Sequence, residues 1–230
     1  MLSTRILYLS LLLPSVAPSQ DTISLVRQWL PMSVGDRWIY DVEGRSGSRV
    51  HPDVEHWVEE ETTVAVESIP EGTVLVQKIR FLDDTAPPAR TQIPDESAIL
   101  IRGACIYYLS ASNHGRGWNP AQHQLGTQFR EYLNRGEVLP SVCFPLHRGQ
   151  TWGDPQKGRD LWTVAGIGPK SQDDPLAVGL EAWRLEANLA SGDDNYVWYR
   201  KGMGVTARRN YHNGTYDDRR VRLLRFEPAR

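Results

Sequence analysis

The chain has little cysteine, with Cys105 and Cys143 as the only two in 230 residues. That excludes a disulfide-dense miniature scaffold and a Cys-rich zinc module. No charge of one sign is in excess, with 26 Lys+Arg against 28 Asp+Glu. An overall basic field of the kind that marks a nucleic-acid partner is therefore missing. Long hydrophobic runs are also missing beyond the first turns of the chain, which excludes a multi-span membrane protein. Phenylalanine is scarce, four residues against eight Trp and nine Tyr, a balance that suits half-buried sheet surfaces better than a dry helical core. What is plentiful is punctuation. Nineteen Gly and 15 Pro, without a collagen period, are too many for a helical bundle or a coiled coil.

The first residues read as an address. Arg5 precedes the apolar run Ile6–Leu13, and the small-residue tail Pro14-Ser-Val-Ala-Pro-Ser-Gln20 follows. This is the layout of a secretory signal peptide. Cleavage after Ser19 is preferred to cleavage after Ala17, which would leave Pro18 directly behind the cut. The run is too short to span a bilayer core of about 30 Å, so no transmembrane anchor is expected. The predicted organisation is a signal peptide at 1–19 and one β-rich domain at 20–230, or two related halves at about 30–140 and 141–230. The expected destination is the periplasm or the exterior. In such an oxidising compartment Cys105 and Cys143 are a disulfide candidate, with two free thiols as the alternative.

Residues 21–30 have the apolar spacing of a short amphipathic helix stopped by Pro31. One interior segment, Gln124–Asn134, has the same character. Strand signals dominate elsewhere, over Arg37–Val42, Trp57–Ser68, Thr73–Phe81, Ala98–Leu109, Asp160–Ala165, Ala182–Leu189, Tyr196–Tyr211 and Thr215–Phe226. Val58, Thr62, Val64 and Val66 share one face of the second run, opposite Glu59, Glu61 and Glu67, and the acidic side reads as the outer one. Asn213-Gly214 is the dipeptide of a type I′ hairpin turn. Centring the hairpin there predicts Tyr211 opposite Tyr216 and Arg209 opposite Asp218.

An internal echo is present. Leu30-Pro-Met-Ser-Val-Gly-Asp-Arg-Trp38 and Phe144-Pro-Leu-His-Arg-Gly-Gln-Thr-Trp152 share Pro, Gly and Trp at the same spacing. In each, Pro stiffens the approach, Gly permits a turn with positive φ, and Trp opens the next strand. These segments, with the late Trp198-Tyr199-Arg-Lys-Gly202-Met-Gly204-Val205, resemble a set of exported bacterial proteins of unknown function. That set carries repeated Pro-Leu-x-x-Gly-x-x-Trp and a late Trp-Tyr-x-x-Gly-x-Gly-Val. The chain departs from it at Asp174-Pro-Leu-Ala-Val-Gly179, where such proteins have Pro-Ala-Gly-Thr-Phe. The resemblance implies export and an antiparallel β fold, and it brings no catalytic residues.

Candidate chemistry is sparse. His51, Asp53 and Glu55 would share one strand face, but their spacing does not by itself make the convergent ligand set a metal needs. Ser46 sits in Gly44-Arg-Ser-Gly-Ser48, which lacks the last Gly of a nucleophile elbow. Cys143 and His147 are four residues apart, yet Pro145 prevents the helix that would align them. Asp193-Asp194 and Asp217-Asp218 are adjacent pairs, which strands point to opposite faces. Residues 208–230 hold seven Arg against three carboxylates, so contact with a polyanion or an anionic surface is a minor alternative.

The expected fold is mainly β and antiparallel: a strongly curved open sheet or partial barrel, or two related sheet lobes, with one short helix. The expected function is that of an exported, non-enzymatic binding or envelope-scaffold module. Its ligand would be apolar, held on a concave face lined by Trp38, Tyr40, Trp152, Trp183 and Trp198. The alternative is a secreted hydrolase with a carboxylate or His site. The expected partner is an apolar small molecule or an envelope component, with no cofactor, metal or nucleic acid.

Overall fold

The computed structural model describes residues 20–48, 50–82, 96–110, 134, 139–154, 159–168, 181–188, 194–212 and 216–230. The leader, the predicted helix Gln124–Asn134 apart from Asn134, the Asn213-Gly214 turn and the segment Asp174–Gly179 lie outside the described residues. Helix α1 is Gln20–Arg27, and the strands are β1 Arg37–Gly47, β2 Pro52–Ile69, β3 Gly72–Phe81, β4 Glu96–Arg102, β5 Cys105–Ser110 and β6 Val142–Cys143. The second set is β7 Thr151–Asp154, β8 Arg159–Ile167, β9 Trp183–Asn188, β10 Asp194–Arg200, β11 Gly204–His212 and β12 Tyr216–Glu227.

All twelve described strands form one antiparallel sheet in the order β6-β5-β4-β3-β2-β1-β12-β11-β10-β9-β8-β7. Sequence neighbours pair everywhere except between β6 and β7, and the first and last strands pair with each other. The sheet is thus an up-and-down meander whose two edges, β6 and β7, are consecutive in the chain. It closes nearly into a barrel with a single seam at that point. This meets the partial-barrel expectation with one sheet instead of two lobes. More strands are present than predicted because two of the long runs are hairpins, turning at Gly103 (φ 59°) and Gly202 (φ 76°). The short strands β6 and β7 carry too few residues to show a period.

Rolling of the sheet is visible in one contact. Tyr108 on β5 and Tyr199 on β10 are seven strand spacings apart along the sheet, about 33 Å if it were flat. Their hydroxyls meet at 3.1 Å. The enclosed face holds the main core, including Trp38, Val42, Trp57, Leu75, Ile99, Ile101 and Ile106. Helix α1 adds Val26 to that core, and Leu30, just beyond the helix, joins it. The helix ends before Pro31, which disfavours helical backbone at the residue before it, and Leu30 N–H still bonds the Val26 carbonyl at 2.9 Å. Trp29 stacks on Phe144 at 5.2 Å, beside the seam. The Gln28 and Trp29 carbonyls accept bonds from Gly202 and Gly204 N–H at 2.8 and 2.7 Å. One end of the barrel is thereby covered.

The echoed segments are two corners built alike. Asp36 N–H bonds the Ser33 carbonyl at 3.0 Å, and Gln150 N–H bonds the His147 carbonyl at 3.1 Å. Gly35 (φ 97°) donates to Thr63 O, and Gly149 (φ 81°) donates to Val164 O, both at 2.8 Å. Each corner leads into the first strand of a six-strand run, β1–β6 or β7–β12. At the seam, Cys105 faces Cys143 across β5–β6, and the two form the disulfide that the sequence proposed.

Across the outer face, carboxylates of β1 and β2 meet arginines of the last hairpin. Arg222 bonds Asp41, and Arg220 bonds Asp218 and lies 3.7 Å from Glu43. Arg37 bonds Glu227, and Arg80 bonds Glu60. The Arg222–Asp41, Arg220–Glu43 and Arg37–Glu227 pairs fasten β12 to β1, the closure between the two chain ends. They also use up much of the local basic surplus that suggested a polyanion.

Candidate ligand-binding face

Residue parity places a charged band inside the barrel. Trp57 is 1 % exposed, and residues two and four positions along a strand share its face. Those residues are Glu59 and Glu61, which are 1 % and 9 % exposed. Register puts Val42 against Trp57, Tyr40 against Glu59 and Trp38 against Glu61, all on the inner face. Of the expected acidic outer face, Glu59 and Glu61 therefore point inward, and only Glu67, beyond the irregularity at Thr63–Ala65, is exposed. Val54, Val64 and Val66 are exposed as well. Burial of the large indole fixes the strand's orientation, and the two carboxylates follow it inward, where each finds a guanidinium.

Arg219 on β12 stands opposite Gly44 of β1, so no side chain intervenes. It bonds both Glu59 oxygens at 2.7 Å, and Trp57 Nε1–H adds a bond to Oε1 at 2.7 Å. Arg208 on β11 bonds Glu61 through Nη2. Its guanidinium also lies over the Tyr40 ring, 5.2 Å from the centroid, a cation–π arrangement. Tyr40 O–H donates to the Val205 carbonyl at 3.1 Å. Trp38 Nε1–H donates to the Met203 carbonyl at 2.6 Å. In each ion pair the carboxylate is the more deeply buried member. The Arg208 and Arg219 side chains are 27 % and 25 % exposed, against 11 % and 2 % for their partners.

Burial pushes the hydroxyls of Tyr40 and Tyr199 well above the ordinary tyrosine range, and it raises Tyr108 as well. All three are neutral donors and acceptors at physiological pH. Burial works against the Arg208 charge, but Glu61 and then Glu59 more than offset it, so the guanidinium is held in its charged form. The inner face thus presents aromatic and aliphatic surface crossed by a band of fixed charge and neutral hydroxyls.

Four of the five expected lining residues lie on this face. Trp38 and Tyr40 are buried in its core, Trp152 joins them from β7, and Trp183 packs against the same cluster. Trp198 does not. It lies on the opposite face with Tyr196, Ala182 and Ala207, and its Nε1–H donates to the Gly168 carbonyl. Strand alternation explains the difference, because its neighbour Tyr199 takes the inner position. Sequence reasoning missed Glu59, Glu61, Arg208 and Arg219, and their parity with Trp57 and Val221 was the available signal.

The remaining candidates separate. Ser46, His51, Asp53 and Glu55 are exposed. Cys143 is oxidised and offers no thiolate. Asp218 is buried between Arg209 and Arg220. Asp193 lies outside the described residues. Among the described residues no group of three or more His, Cys, Asp or Glu is placed to hold a metal. No helix among them is long and apolar enough to cross a membrane.

No family model matches the chain, and no curated protein does. Among solved structures, a Bacteroides fragilis protein described as exported and YmcC-like in fold superposes with a TM-score of 0.45 at 10% identity, covering 87% of this chain and 99% of that one. A Parabacteroides distasonis protein described as a lipoprotein gives 0.42 at 10% identity over the same shares. A LolA superfamily protein from Nitrosomonas europaea gives 0.26 at 8% identity, covering 93% and 94%. Likenesses this distant carry no functional argument, which has to come from the chain's own residues.

Proposed function

We propose that the protein is an exported binding module that encloses an apolar or amphiphilic molecule against the inner face of its sheet. Barrel size supports this reading. About eight strands already enclose an interior that side chains can fill, and this sheet has twelve. The observation that carries the reading is a buried donor left over on that face. Trp152 Nε1–H is buried and finds no acceptor, whereas buried polar groups in native proteins are almost always satisfied. An enclosed molecule with an oxygen acceptor would complete it.

The hydrolase alternative needs a carboxylate or His free to exchange protons with a substrate. Glu59 and Glu61 are instead engaged by guanidinium groups. Native mass spectrometry of the protein purified from its own host tests the proposal. The expected result is an added non-covalent mass that organic extraction removes. The polypeptide mass alone, before and after extraction, would overturn it. Export is tested by N-terminal sequencing, which should return Gln20 and not Met1.

A further inference from the structure

We infer that Arg208 is the anchor for an anionic head group, so that the enclosed molecule is an amphiphile carrying a carboxylate or a phosphate. This rests on the binding reading above and adds the chemistry of the head. A guanidinium carries five N–H donors in a planar fork. The structure uses one Nη2 donor of Arg208 on Glu61. Its Nε–H is buried without an acceptor. The Tyr40 ring beneath the plane fixes the orientation of the fork but accepts no hydrogen bond in its plane. The Nε–H lies on the same edge of the fork as Nη2, so an anion reaching Nε competes with Glu61 for Nη2, and two oxygens of one anion match that edge.

Electrostatics and shape agree with this assignment. Glu61 lies deeper than Arg208, so an arriving ligand meets the cation before the carboxylate. Arg219 offers a second positive group on the next strand, with its Nη2 already shared between both Glu59 oxygens and Trp57 beside it, and is hence the weaker candidate. In register, Val197 and Val221 flank Arg208 on β10 and β12, and Leu185 continues the row on β9. A polar head on Arg208 would thus have aliphatic surface on both sides for the chain attached to it. The Tyr108 and Tyr199 hydroxyls, bonded to each other across the interior, are further neutral donors on the enclosed face.

The test measures quenching of intrinsic tryptophan fluorescence by three probes of equal chain length: hexadecanoate, hexadecyl phosphate and hexadecan-1-ol. The purified protein should bind at least one anionic probe roughly tenfold more tightly than the alcohol, the gain expected from charge-assisted bonding. The tighter of the two anions identifies the head. Arg208→Lys keeps the charge but loses the fork, and it should remove most of that preference. Glu61→Gln removes the competing carboxylate and should strengthen anion binding severalfold, which a purely structural ion pair would not do. Equal affinity for all three probes, or an anion preference unchanged in both variants, would overturn the assignment and leave the binding module intact. Failure of every probe to bind would overturn both.

Discussion

Asp36 and Gln150 stand at equivalent points of two corners and perform the same task. The Asp36 carboxylate accepts the Ser33 N–H at 2.7 Å, and the Gln150 side-chain carbonyl accepts the His147 N–H at 3.2 Å. Their second bonds differ. Asp36 also accepts the Ala229 N–H at 2.8 Å, tying the chain's last residues to its first strand. Gln150 donates to the Cys143 carbonyl at 3.0 Å, tying β7 back across the seam. One corner design thus fastens the closed side of the barrel in one place and the open side in the other.

That difference predicts unequal costs. Asp36 is 2 % exposed, and removing it leaves two backbone donors without acceptors. Asp36→Ala should cost about 2–3 kcal/mol, the penalty for stranding buried donors. Gln150 is less buried, and Gln150→Ala should cost about 1 kcal/mol. Urea denaturation read at the midpoint separates them. Equal losses would show that the two corners bear the same load.

Acid should attack the outer ladder first. Asp218 is almost fully buried, which by itself would push its carboxyl up. Four N–H bonds from Arg209 and Arg220, at 2.8 to 3.0 Å, hold it below the usual carboxylate range. Glu60 is lowered in the same way, its burial outweighed by Arg80 and Arg37. A carboxyl depressed on folding stabilises the protein above its unfolded value, about pH 4, and loses that contribution as pH falls through the folded value. Asp218→Asn should cost about 2–3 kcal/mol at neutral pH, because two guanidinium groups lose their anion. The gap between variant and parent should narrow steadily below about pH 4. A gap that stays constant down to acid unfolding would rule out this linkage.

Much of the architecture could be read from the chain, and the misreadings have one physical source. Residue alternation identifies the two faces of a strand, but it does not say which face is enclosed. In β2 the valines and the carboxylates alternate cleanly, and an acidic face is ordinarily the wet one. The decision belongs to Trp57 and to two arginines roughly 150 residues away, a partnership that no local pattern can show. The last hairpin makes the same point. Tyr211 pairs with Asp218 and not with Tyr216, a shift of two residues from the turn-centred register. A two-residue shift preserves both faces, so Asp218 keeps its arginines. Arg209 reaches it diagonally, at 2.8 Å, from opposite Arg220. Trp198 was misplaced for a simpler reason: its motif names a Trp-Tyr pair, and only one of two adjacent strand residues can face inward. The two cysteines and the corner motifs were readable because their physics is local or pairwise.

Alkali should reveal the enclosed tyrosines. Tyr40, Tyr108 and Tyr199 are all raised, mainly by burial. A phenol raised on folding gives its full stabilisation below the unfolded value, about pH 10, and loses it as pH rises toward the folded one. Tyr40, Tyr108 and Tyr199 should therefore stay protonated until the barrel opens. Following the tyrosinate absorbance and the circular dichroism together tests this. Ionisation of every tyrosine while the dichroism stays native would refute it. Tyr108→Phe removes the bond to Tyr199 and should move the delayed phase to lower pH.

The seam should depend on its disulfide more than any other strand boundary depends on one bond. Strand β6 has two residues, and its register with β5 consists of Cys105 opposite Cys143 and Ile106 opposite Val142. Backbone pairing this short cannot hold an edge strand alone. Residues 144–150 then carry the chain from β6 to β7, so freeing β6 also frees the second corner and Phe144, which stacks on Trp29. The bond closes a separation of 38 residues, for which the chain-entropy estimate is about 4 kcal/mol. Replacing both cysteines by serine should lower stability by roughly that amount. It should also make the 139–150 segment cleavable by protease at denaturant concentrations where the remaining strands are still protected. Reduction of the parent protein should reproduce both effects. Recovery of two free thiols from the unreduced exported protein would remove the basis for the prediction. If instead the serine variant loses stability without early cleavage at the seam, the bond acts through the unfolded chain and not by fastening β6.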